Sequence, residues 1–332
     1  MGRLITRRKI VLAFAAGAAV AQVASHAQRQ PTKVARIGFL GLASSTGWAT
    51  RVEALRGGLR DLGYIEGRNI FIEFRWAEGK YDRLPNLADE LVRLNVDVLV
   101  TAGTPGTLTA KRATSTIPIV MAASGDAVAM GLVDSLARPG GNITGSTFFD
   151  PQITAKRLEV LKEAIPRVAQ VAVLLNPDNS ASTGPVLKAM QIAAESRKIA
   201  LRKFEVSRPN EFDSAFVAMV QGRVDAVAIL DDGLFLANAR ALADIAVNNR
   251  LPLIGSKEFV EAGAFIGYGV NLLELWRRAA YFVDRILKGT RPSDLPVEQA
   301  TKFELLVNLK TAKALGIRVP RSLLLRADRV IE

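Results

Sequence analysis

The sequence predicts an α/β fold with two lobes, each built around a doubly wound, mostly parallel sheet. Apolar runs of strand length alternate with helical patterns along almost the whole of its 332 residues. Two of these runs, Val96–Val100 and Val224–Leu230, are nearly continuous, as is typical of parallel strands covered by helices on both faces. The same order of strand, loop and helix also occurs twice, which predicts two similar lobes.

The predicted elements follow one another without long gaps. Ten strands are predicted, at Val34–Leu42, Asn69–Trp76, Val96–Ala102, Ile117–Ala122, Asn142–Phe148, Val171–Asn176, Leu201–Val206, Val224–Leu230, Leu251–Gly255 and Ala264–Gly269. Helical patterns lie between them, for example at Arg51–Leu62, Leu84–Leu94, Ala155–Ala164 and Pro185–Arg197. Because strand, helix and strand alternate, the connections should be right-handed βαβ units in an open sheet.

The duplication extends over four matched steps. In the first half, an apolar strand is followed by a Ser/Thr/Gly loop, a helix and the strand Asn69–Trp76. In the second half, a similar strand is followed by the polar loop Asn176–Gly184, a helix and the strand Leu201–Val206. The next unit of each half ends in a Pro-containing strand, Ile117–Val120 and Leu251–Ile254. Four matched steps in a row indicate a duplicated lobe.

Composition excludes several kinds of catalytic site. The chain has no Cys, and its one His, His26, lies in a segment that we expect to be cleaved. Disulfides, thiolate ligands, Ser-His-Asp catalysis and ordinary zinc sites are therefore excluded from the mature chain. No Gly-x-Gly-x-x-Gly or phosphate-loop pattern suggests a nucleotide. We expect a protein that is not an enzyme and has no metal or cofactor, although carboxylate, Lys or Tyr chemistry stays open.

Residues 1–27 have the pattern of an export signal. Basic residues precede the uncharged apolar run Ile10–Ala21, and Ser25-His26-Ala27 offers the small residues of a cleavage site before Gln28. The segment Thr6–Leu12, with its paired arginines, also resembles a twin-arginine signal. A retained N-terminal anchor is the alternative, but the apolar run is short for a membrane span, which needs about 20 residues. We expect a free, exported protein without a membrane anchor.

The net charge does not indicate a nucleic-acid partner. Four of the +12 formal charges lie in the export signal, and the remaining basic residues are scattered among acidic ones. Binding to nucleic acid would call for a basic patch or a recognised motif, and neither is present in the sequence. We therefore expect solvated surface charge and no nucleic-acid partner.

Polar loops follow several predicted strands, at 41–47, 101–107, 123–126, 176–183 and 231–233. In doubly wound sheets, chemistry takes place at these carboxyl ends of the strands, where backbone N–H groups are available. The loops are rich in Ser, Thr, Asn, Asp and Gly, so they suit a small polar ligand or the carboxylate of an amino acid. For any single residue, an ordinary turn or capping role is the alternative.

Three stretches carry a specific resemblance to a known family. They are the run Gly125–Gly145, the segments Gly267–Gly269, Arg277–Ala280 and Ile286–Gly289, and the run Asp294–Gln299 with Asn308–Ala312. Together they resemble the substrate-binding proteins of bacterial ABC transporters that have the type I periplasmic binding-protein fold. One departure is Ala127, which follows Asp126 where the family often has Pro.

The resemblance implies two Rossmann-like lobes joined by three crossings of the chain. We expect these crossings near 148–151, 264–268 and 290–295. Lobe one would then combine residues 34–148 and 268–292, and lobe two residues 151–266 and 294–332. It also implies a monomeric periplasmic receptor, which captures a small molecule between its lobes and delivers it to the permease of an ABC importer.

The resemblance places the ligand between the mouth loops of both lobes. The candidate ligand-binding residues are Ser44, Ser45, Thr46, Gly103, Thr104, Ser124, Asp126, Asn176, Asn179, Asp232 and Tyr268. Hydroxyl and N–H groups would receive a carboxylate, and Asp126 would pair with an ammonium group or cap the following helix. Asp231 is the alternative to Asp232, because only one of two adjacent carboxylates should face the cleft.

Few basic residues lie near the predicted cleft, which favours an amino acid or a related amphipathic compound. Two alternatives to a transport receptor remain open. A sensing regulator of the same fold would need a DNA-binding headpiece, and this sequence has only the export signal and a short tail there. A secreted α/β enzyme could use Asp126 and Asp232 as paired carboxylates, but no nucleophile-elbow motif is present.

Overall fold

A computed structural model describes residues 34–148 and 150–332 of the protein. The predicted export signal lies outside these ranges. The strands are β1 (Ala35–Gly41), β2 (Ile70–Trp76), β3 (Val98–Ala102), β4 (Ile119–Ser124), β5 (Ile143–Thr147), β6 (Gln170–Leu175), β7 (Ala200–Glu205), β8 (Ala226–Ile229), β9 (Leu253–Gly255), β10 (Ile266–Val270), β11 (Glu298–Gln299), β12 (Phe303–Asn308) and β13 (Arg329–Ile331).

The helices alternate with these strands. They are α1 (Ala49–Asp61), α2 (Leu84–Arg93), α3 (Thr104–Ala113), α4 (Asp150–Ala164), α5 (Ser180–Ser196), α6 (Phe212–Gln221), α7 (Gly233–Ala237), α8 (Ala239–Asn248), α9 (Lys257–Glu261), α10 (Leu272–Leu287), α11 (Leu309–Ala314) and α12 (Arg321–Arg326). Of these helices in the described ranges, none combines the length and the apolarity that crossing a membrane requires.

The strands form two sheets with the same central order. The first sheet has six parallel strands in the order β11-β5-β4-β3-β1-β2. The second has seven strands in the order β13-β12-β10-β9-β8-β6-β7, in which only the pairing of β12 with β10 is antiparallel. The order β2-β1-β3-β4-β5 thus recurs as β7-β6-β8-β9-β10. The predicted fold class, two doubly wound α/β lobes, is confirmed.

Strand β3 shows why its sequence is continuously apolar. Val98, Leu99 and Val100 are fully buried between β1 and β4, and helices cover both faces of the sheet. A strand in this position has no solvent face, so the alternation of apolar and polar residues disappears. Helix α2 instead keeps one apolar stripe, with Leu84, Leu87 and Leu91 buried at helical spacing.

The chain passes between the lobes three times. The first crossing lies between the end of β5 at Thr147 and the start of α4 at Asp150. The second lies at Asn271, between β10 and α10, and the third lies between β11 and β12, at residues 300–302. The second and third crossings therefore lie a few residues later in the chain than the sequence predicts.

Burial and strand pairing explain both shifts. Tyr268 lies inside β10, opposite Leu305 of β12, so it belongs to the second sheet. Leu295 and Val297 are buried in the core of the first lobe, and β11 pairs with β5. Lobe one thus combines residues 35–148 and 272–299, and lobe two residues 150–270 and 303–332.

Candidate functional site

A cavity of about 100 Å³ lies between the two lobes, at the carboxyl ends of strands from both sheets. Lobe one contributes residues that follow each of β1 to β5, and lobe two contributes residues that follow β6, β8 and β9. Its walls are mostly apolar and include Leu42, Trp48, Phe148, Ile153, Leu236, Val270, Leu272 and Trp276. Such a site, apolar with a few polar groups, is typical of small-molecule binding.

Asp231 is one of two acidic residues that line the cavity. Its Oδ2 accepts a hydrogen bond of 2.6 Å from Nη2 of Arg157, whose side chain is fully buried. The same guanidinium donates from Nε to the backbone oxygen of Tyr268 at 2.7 Å. The second carboxylate oxygen, Oδ1, is buried and has no hydrogen-bond partner within the described residues. Asp231 is thus held at one oxygen and available at the other.

Other cavity-lining residues also present polar atoms without partners. Trp48 Nε1, Asn179 Oδ1 and Ser256 Oγ are buried and lack a hydrogen bond within the described part of the chain. A buried polar group left without a partner typically costs about 1–3 kcal/mol. Because these atoms come from residues around one cavity, a bound polar ligand accounts for all of them together.

Arg51 is the one Lys or Arg among the described residues that line the cavity. It is only 6% exposed, and burial lowers the pKa of its guanidinium. Its nearest anion is Glu258, with 4.0 Å between Nη2 and Oε1, which is beyond hydrogen-bond distance. Both carboxylate oxygens of Glu258 are buried, and burial raises the pKa of this group. Arg51 belongs to lobe one and Glu258 to lobe two.

Asp232 is the most fully hydrogen-bonded carboxylate of the site. It accepts from Leu234 N at 2.8 Å, from Asn179 Nδ2 at 3.0 Å and from Asn176 Nδ2 at 3.3 Å. Tyr81 Oη of lobe one completes the set, at 2.5 Å. Burial raises the pKa of Asp232, while these hydrogen bonds oppose the shift, and burial also raises the pKa of Tyr81. Both oxygens of Asp232 thus accept hydrogen bonds from the protein, whereas Oδ1 of Asp231 has no partner within the described residues.

The start of α3 also lines the cavity, through Gly103 and Thr104. Gly103 precedes the helix with a φ of 77°, a backbone conformation that favours glycine, and it offers no side chain to cap the first turn. Because Pro105 has no N–H, the first turn can offer an anion only the amides of Thr104 and Gly106. The hydroxyl of Thr104 accepts from Gly125 N at 3.2 Å and lies 3.4 Å from Ser124 Oγ.

The structure brings only some of the predicted residues to the cavity. Gly103, Thr104, Asn179 and Asp232 line it. Asn176 and Ser124 lie behind this lining: Asn176 donates a hydrogen bond to Asp232, and Ser124 lies within hydrogen-bond distance of Thr104.

The predicted serine and threonine cluster before α1 lies outside the lining. Ser44 Oγ accepts from Gly47 N at 3.0 Å and lies 3.1 Å from Thr46 Oγ1, while Ser45 is exposed. These residues build the turn that starts α1.

Asp126 and Tyr268 are also outside the cavity. Asp126 Oδ1 accepts from Val128 N and Ala129 N at 3.2 and 3.0 Å. This is the geometry of a capping residue, which was the alternative role expected for Asp126 from the sequence. The Tyr268 ring stacks on Phe303. No direct ligand contact follows from either position.

Arg51, Tyr81, Arg157 and Ser256 were not anticipated from the sequence. Arg51 carried a signal, because it continues the buried stripe of Leu55 and Leu59 at four-residue spacing, where a charge is unexpected. No comparable local signal marked the other three.

The chain was compared with known proteins. The family model described as "ABC transporter substrate binding protein" matches residues 36–331. The chain belongs to this family. A relative described as the tyrosine-binding protein of Clostridioides difficile is 30% identical over 261 residues, which are 78% of this substrate-binding protein and 74% of the relative.

Two solved structures indicate the state of the cleft. A Streptococcus pneumoniae protein in complex with L-Trp is 27% identical, with a TM-score of 0.81 over 90% of this substrate-binding protein and 99% of the other chain. A ligand-free, open substrate-binding protein from Clostridium difficile has the same identity and coverage but a TM-score of 0.62. The lobes of this protein are thus arranged more like those of the ligand complex, in agreement with the hydrogen bond between Tyr81 and Asp232 across the cleft.

Proposed function

We propose that this substrate-binding protein captures an α-amino acid with an apolar, aromatic side chain and delivers it to the permease of an ABC importer. The observation that carries the proposal is Asp231, whose Oδ2 is held by Arg157 and whose buried Oδ1 has no partner within the described residues. A ligand ammonium group is the natural partner for such an oxygen. This assignment replaces Asp126 as the predicted ammonium partner.

The charges around the cavity favour a ligand without net charge. Arg157 balances Asp231, and Arg51 lies opposite Glu258. Asp232 accepts four hydrogen bonds from the protein, so it does not need a ligand cation. An amino-acid zwitterion adds one charge of each sign, and each charge can find a partner in the cavity.

The walls support an aromatic side chain. Trp48 and Trp276 line the cavity and meet edge to face, with ring centroids 5.3 Å apart. Aromatic ligands pack on such rings in stacked or edge-to-face arrangements. The tyrosine-binding relative and the L-Trp complex support the same ligand class.

Ligand identity is tested first by a thermal-shift screen of the common amino acids. A ligand at about 100 times its Kd stabilises the native state by about 2.7 kcal/mol, which raises the melting temperature. The ligand should be recovered unchanged after prolonged incubation with the protein. Turnover would instead favour an enzyme that uses the carboxylates of the cleft.

Asp231 is then tested with two matched variants by isothermal titration. We expect Asp231→Asn to weaken L-tryptophan binding by roughly 30- to 1000-fold, because the ligand ammonium loses a desolvated charge partner. Asp126→Asn should bind like wild type, since its carboxylate only caps a turn. Indole-3-propionate, which lacks the ammonium group, should bind weakly to all three proteins. Near-wild-type affinity of Asp231→Asn for tryptophan would contradict the proposal.

Export to the periplasm as a free monomer belongs to the same proposal. The family membership and the sequence pattern of residues 1–27 support it. Mass spectrometry of the periplasmic protein should show a mature N-terminus near Gln28, and light scattering should show a monomer. A membrane-bound protein that retains its first 27 residues would contradict this part.

A further inference from the structure

We propose that Arg51 selects ligands with a free carboxylate, with Glu258 as its counter-ion when the lobes are close and no ligand is bound. The inference rests on the proposed function and assigns the other end of the amino acid. Arg51 lines the cavity and is only 6% exposed. Within the described residues its guanidinium forms no hydrogen bond, although it carries five N–H donors.

An arginine in this state is unusual for a purely structural residue. Buried guanidinium groups normally donate hydrogen bonds to carboxylates or backbone oxygens, as Arg157 of lobe two does. Arg51 instead stops 4.0 Å from Glu258, too far for a hydrogen bond. The planar fork of a guanidinium matches a carboxylate in a bidentate geometry. A ligand carboxylate would therefore accept the hydrogen bonds that the Arg51 guanidinium does not donate to any described residue.

The position of Asp231 is consistent with this assignment. Both residues line the cavity, and the Asp231 carboxylate acts to raise the pKa of Arg51, so the two charges lie close enough to interact. The α-ammonium and α-carboxylate groups of an amino acid are attached to one carbon atom and need partners that lie close together. Asp231 and Arg51 offer that pair, one from each lobe.

Glu258 explains how the buried Arg51 is tolerated when the lobes are close and the cavity holds no ligand. Its carboxylate oxygens are buried, and the nearest cationic group in the described residues is Arg51. The two opposite charges reduce the cost of burying each other. Because Arg51 lies on α1 and Glu258 on α9, they approach only when the lobes are close. A ligand carboxylate beside Arg51 would compete with Glu258 for the same donors.

Three probes that differ only at the carboxyl position test the inference: L-tryptophan, L-tryptophanamide and tryptamine. Binding is measured by isothermal titration at mildly acid pH, where every probe carries an ammonium group. Wild type should bind L-tryptophan at least about 30-fold more tightly than the other two, because only tryptophan can satisfy Arg51.

The informative variant is the double substitution Arg51→Gln/Glu258→Gln, since Arg51→Gln alone would leave a buried carboxylate without its counter-ion. In the double variant the preference for tryptophan over tryptophanamide should fall below about fivefold. Arg60→Gln, on the exposed side of the same helix, should keep the wild-type preference. Glu258→Gln alone should bind tryptophan as tightly as wild type or more tightly, because a competing anion is removed.

The outcomes separate this inference from the proposed function. If the double variant still prefers tryptophan as strongly as wild type does, another group holds the carboxylate, and the assignment of Arg51 is overturned. Equal binding of acid and amide by wild type would overturn it too, while leaving an amine-binding receptor intact. A loss of more than about tenfold in Glu258→Gln would show that Glu258 itself contacts the ligand. If wild type binds none of the probes, the proposed ligand class fails, and this inference fails with it.

Discussion

Tyr81 Oη of lobe one lies 2.5 Å from Asp232 Oδ2 of lobe two, so one hydrogen bond joins the lobes across the cleft. Both residues line the inner cavity, and Tyr81 also lines a larger outer opening of about 950 Å³ between the lobes. The bond therefore lies between the inner cavity and the outer opening. Since its two partners come from different lobes, it can form only when the cleft closes.

Tyr81→Phe should weaken ligand binding by about tenfold. The substitution keeps the ring and removes only the hydroxyl, and a hydrogen bond of this kind contributes about 1.5 kcal/mol to closure. Asp232 keeps its bonds to Asn176, Asn179 and Leu234, so the wall should stay intact. Isothermal titration with tryptophan measures the effect, and small-angle scattering should show less compaction at a given ligand concentration.

Tyr64→Phe is the matched control for Tyr81→Phe. Its hydroxyl also donates to a carboxylate, Asp284 Oδ1 at 3.0 Å, but both groups belong to lobe one. This variant should lose stability without losing affinity. Equal losses of affinity in the two variants would mean that the bond across the cleft has no special role in closure.

Ligand affinity should fall as the pH rises above the ordinary carboxyl pKa of about 4. The pKa values of Asp232 and Glu258 are raised in this closed arrangement, in both cases mainly by burial. Carboxyl groups with raised pKa values take up protons when the cleft closes. Their contribution to closure is therefore complete below the ordinary carboxyl pKa of about 4 and is lost as the pH rises through the raised values.

Titration calorimetry in buffers of different ionisation enthalpy checks this prediction directly. Binding to wild type should be accompanied by proton uptake in the same pH range. The double variant Asp232→Asn/Glu258→Gln should show a flatter profile, because neither side chain can titrate. Affinity that rises with pH in wild type would contradict the sign of both pKa shifts.

Arg157→Met should destabilise the protein by about 3–5 kcal/mol. Arg157 is fully buried, and its removal leaves Asp231 as a buried charge without a partner. Arg157→Met/Asp231→Asn should be less destabilised than the single variant, because it removes both charges. Urea denaturation gives the free energies of unfolding. A double variant as unstable as Arg157→Met would show that the bond to the Tyr268 backbone, rather than the ion pair, is the main contribution.

Much of the fold could be predicted from sequence because its causes are local. The continuous apolar runs mark the buried parallel strands, and β3 and β8 lie at the predicted positions. The positions of the second and third crossings depend instead on long-range pairing. Whether Tyr268 ends a strand or continues it is decided by its partner Leu305, which is 37 residues away in the chain.

The site was harder to predict than the fold, for the same reason. Sequence analysis could place Asp126, Asp231 and Asp232 in loops at the carboxyl ends of strands, but their roles depend on neighbours from distant segments. Asp126 meets the amides of its own turn, whereas Asp231 meets Arg157 and Asp232 meets Tyr81. Of the three, only Asp231 keeps a buried oxygen without a partner.

The family-specific run from Gly125 to Gly145 has a structural explanation in its last glycine. Gly145 lies within β5 with a φ of 126°, a conformation that side-chain-bearing residues rarely adopt. A Cβ atom there would lie 2.3 Å from the backbone oxygen of Met121 and 2.6 Å from its nitrogen. Those atoms belong to β4, the neighbouring strand, so they cannot move aside as a flexible side chain could.

Gly145→Ala should therefore lower the free energy of unfolding by about 2 kcal/mol or more, since both the backbone conformation and the close approach oppose a methyl group. Gly141→Ala, four residues earlier in the same run, is the matched control. A Cβ atom at Gly141 would meet nothing within 4 Å, so this variant should stay within about 1 kcal/mol of wild type. Urea denaturation of both variants decides the matter. Equal midpoints would mean that β4 and β5 can separate without cost, and that this glycine is needed for something other than their packing.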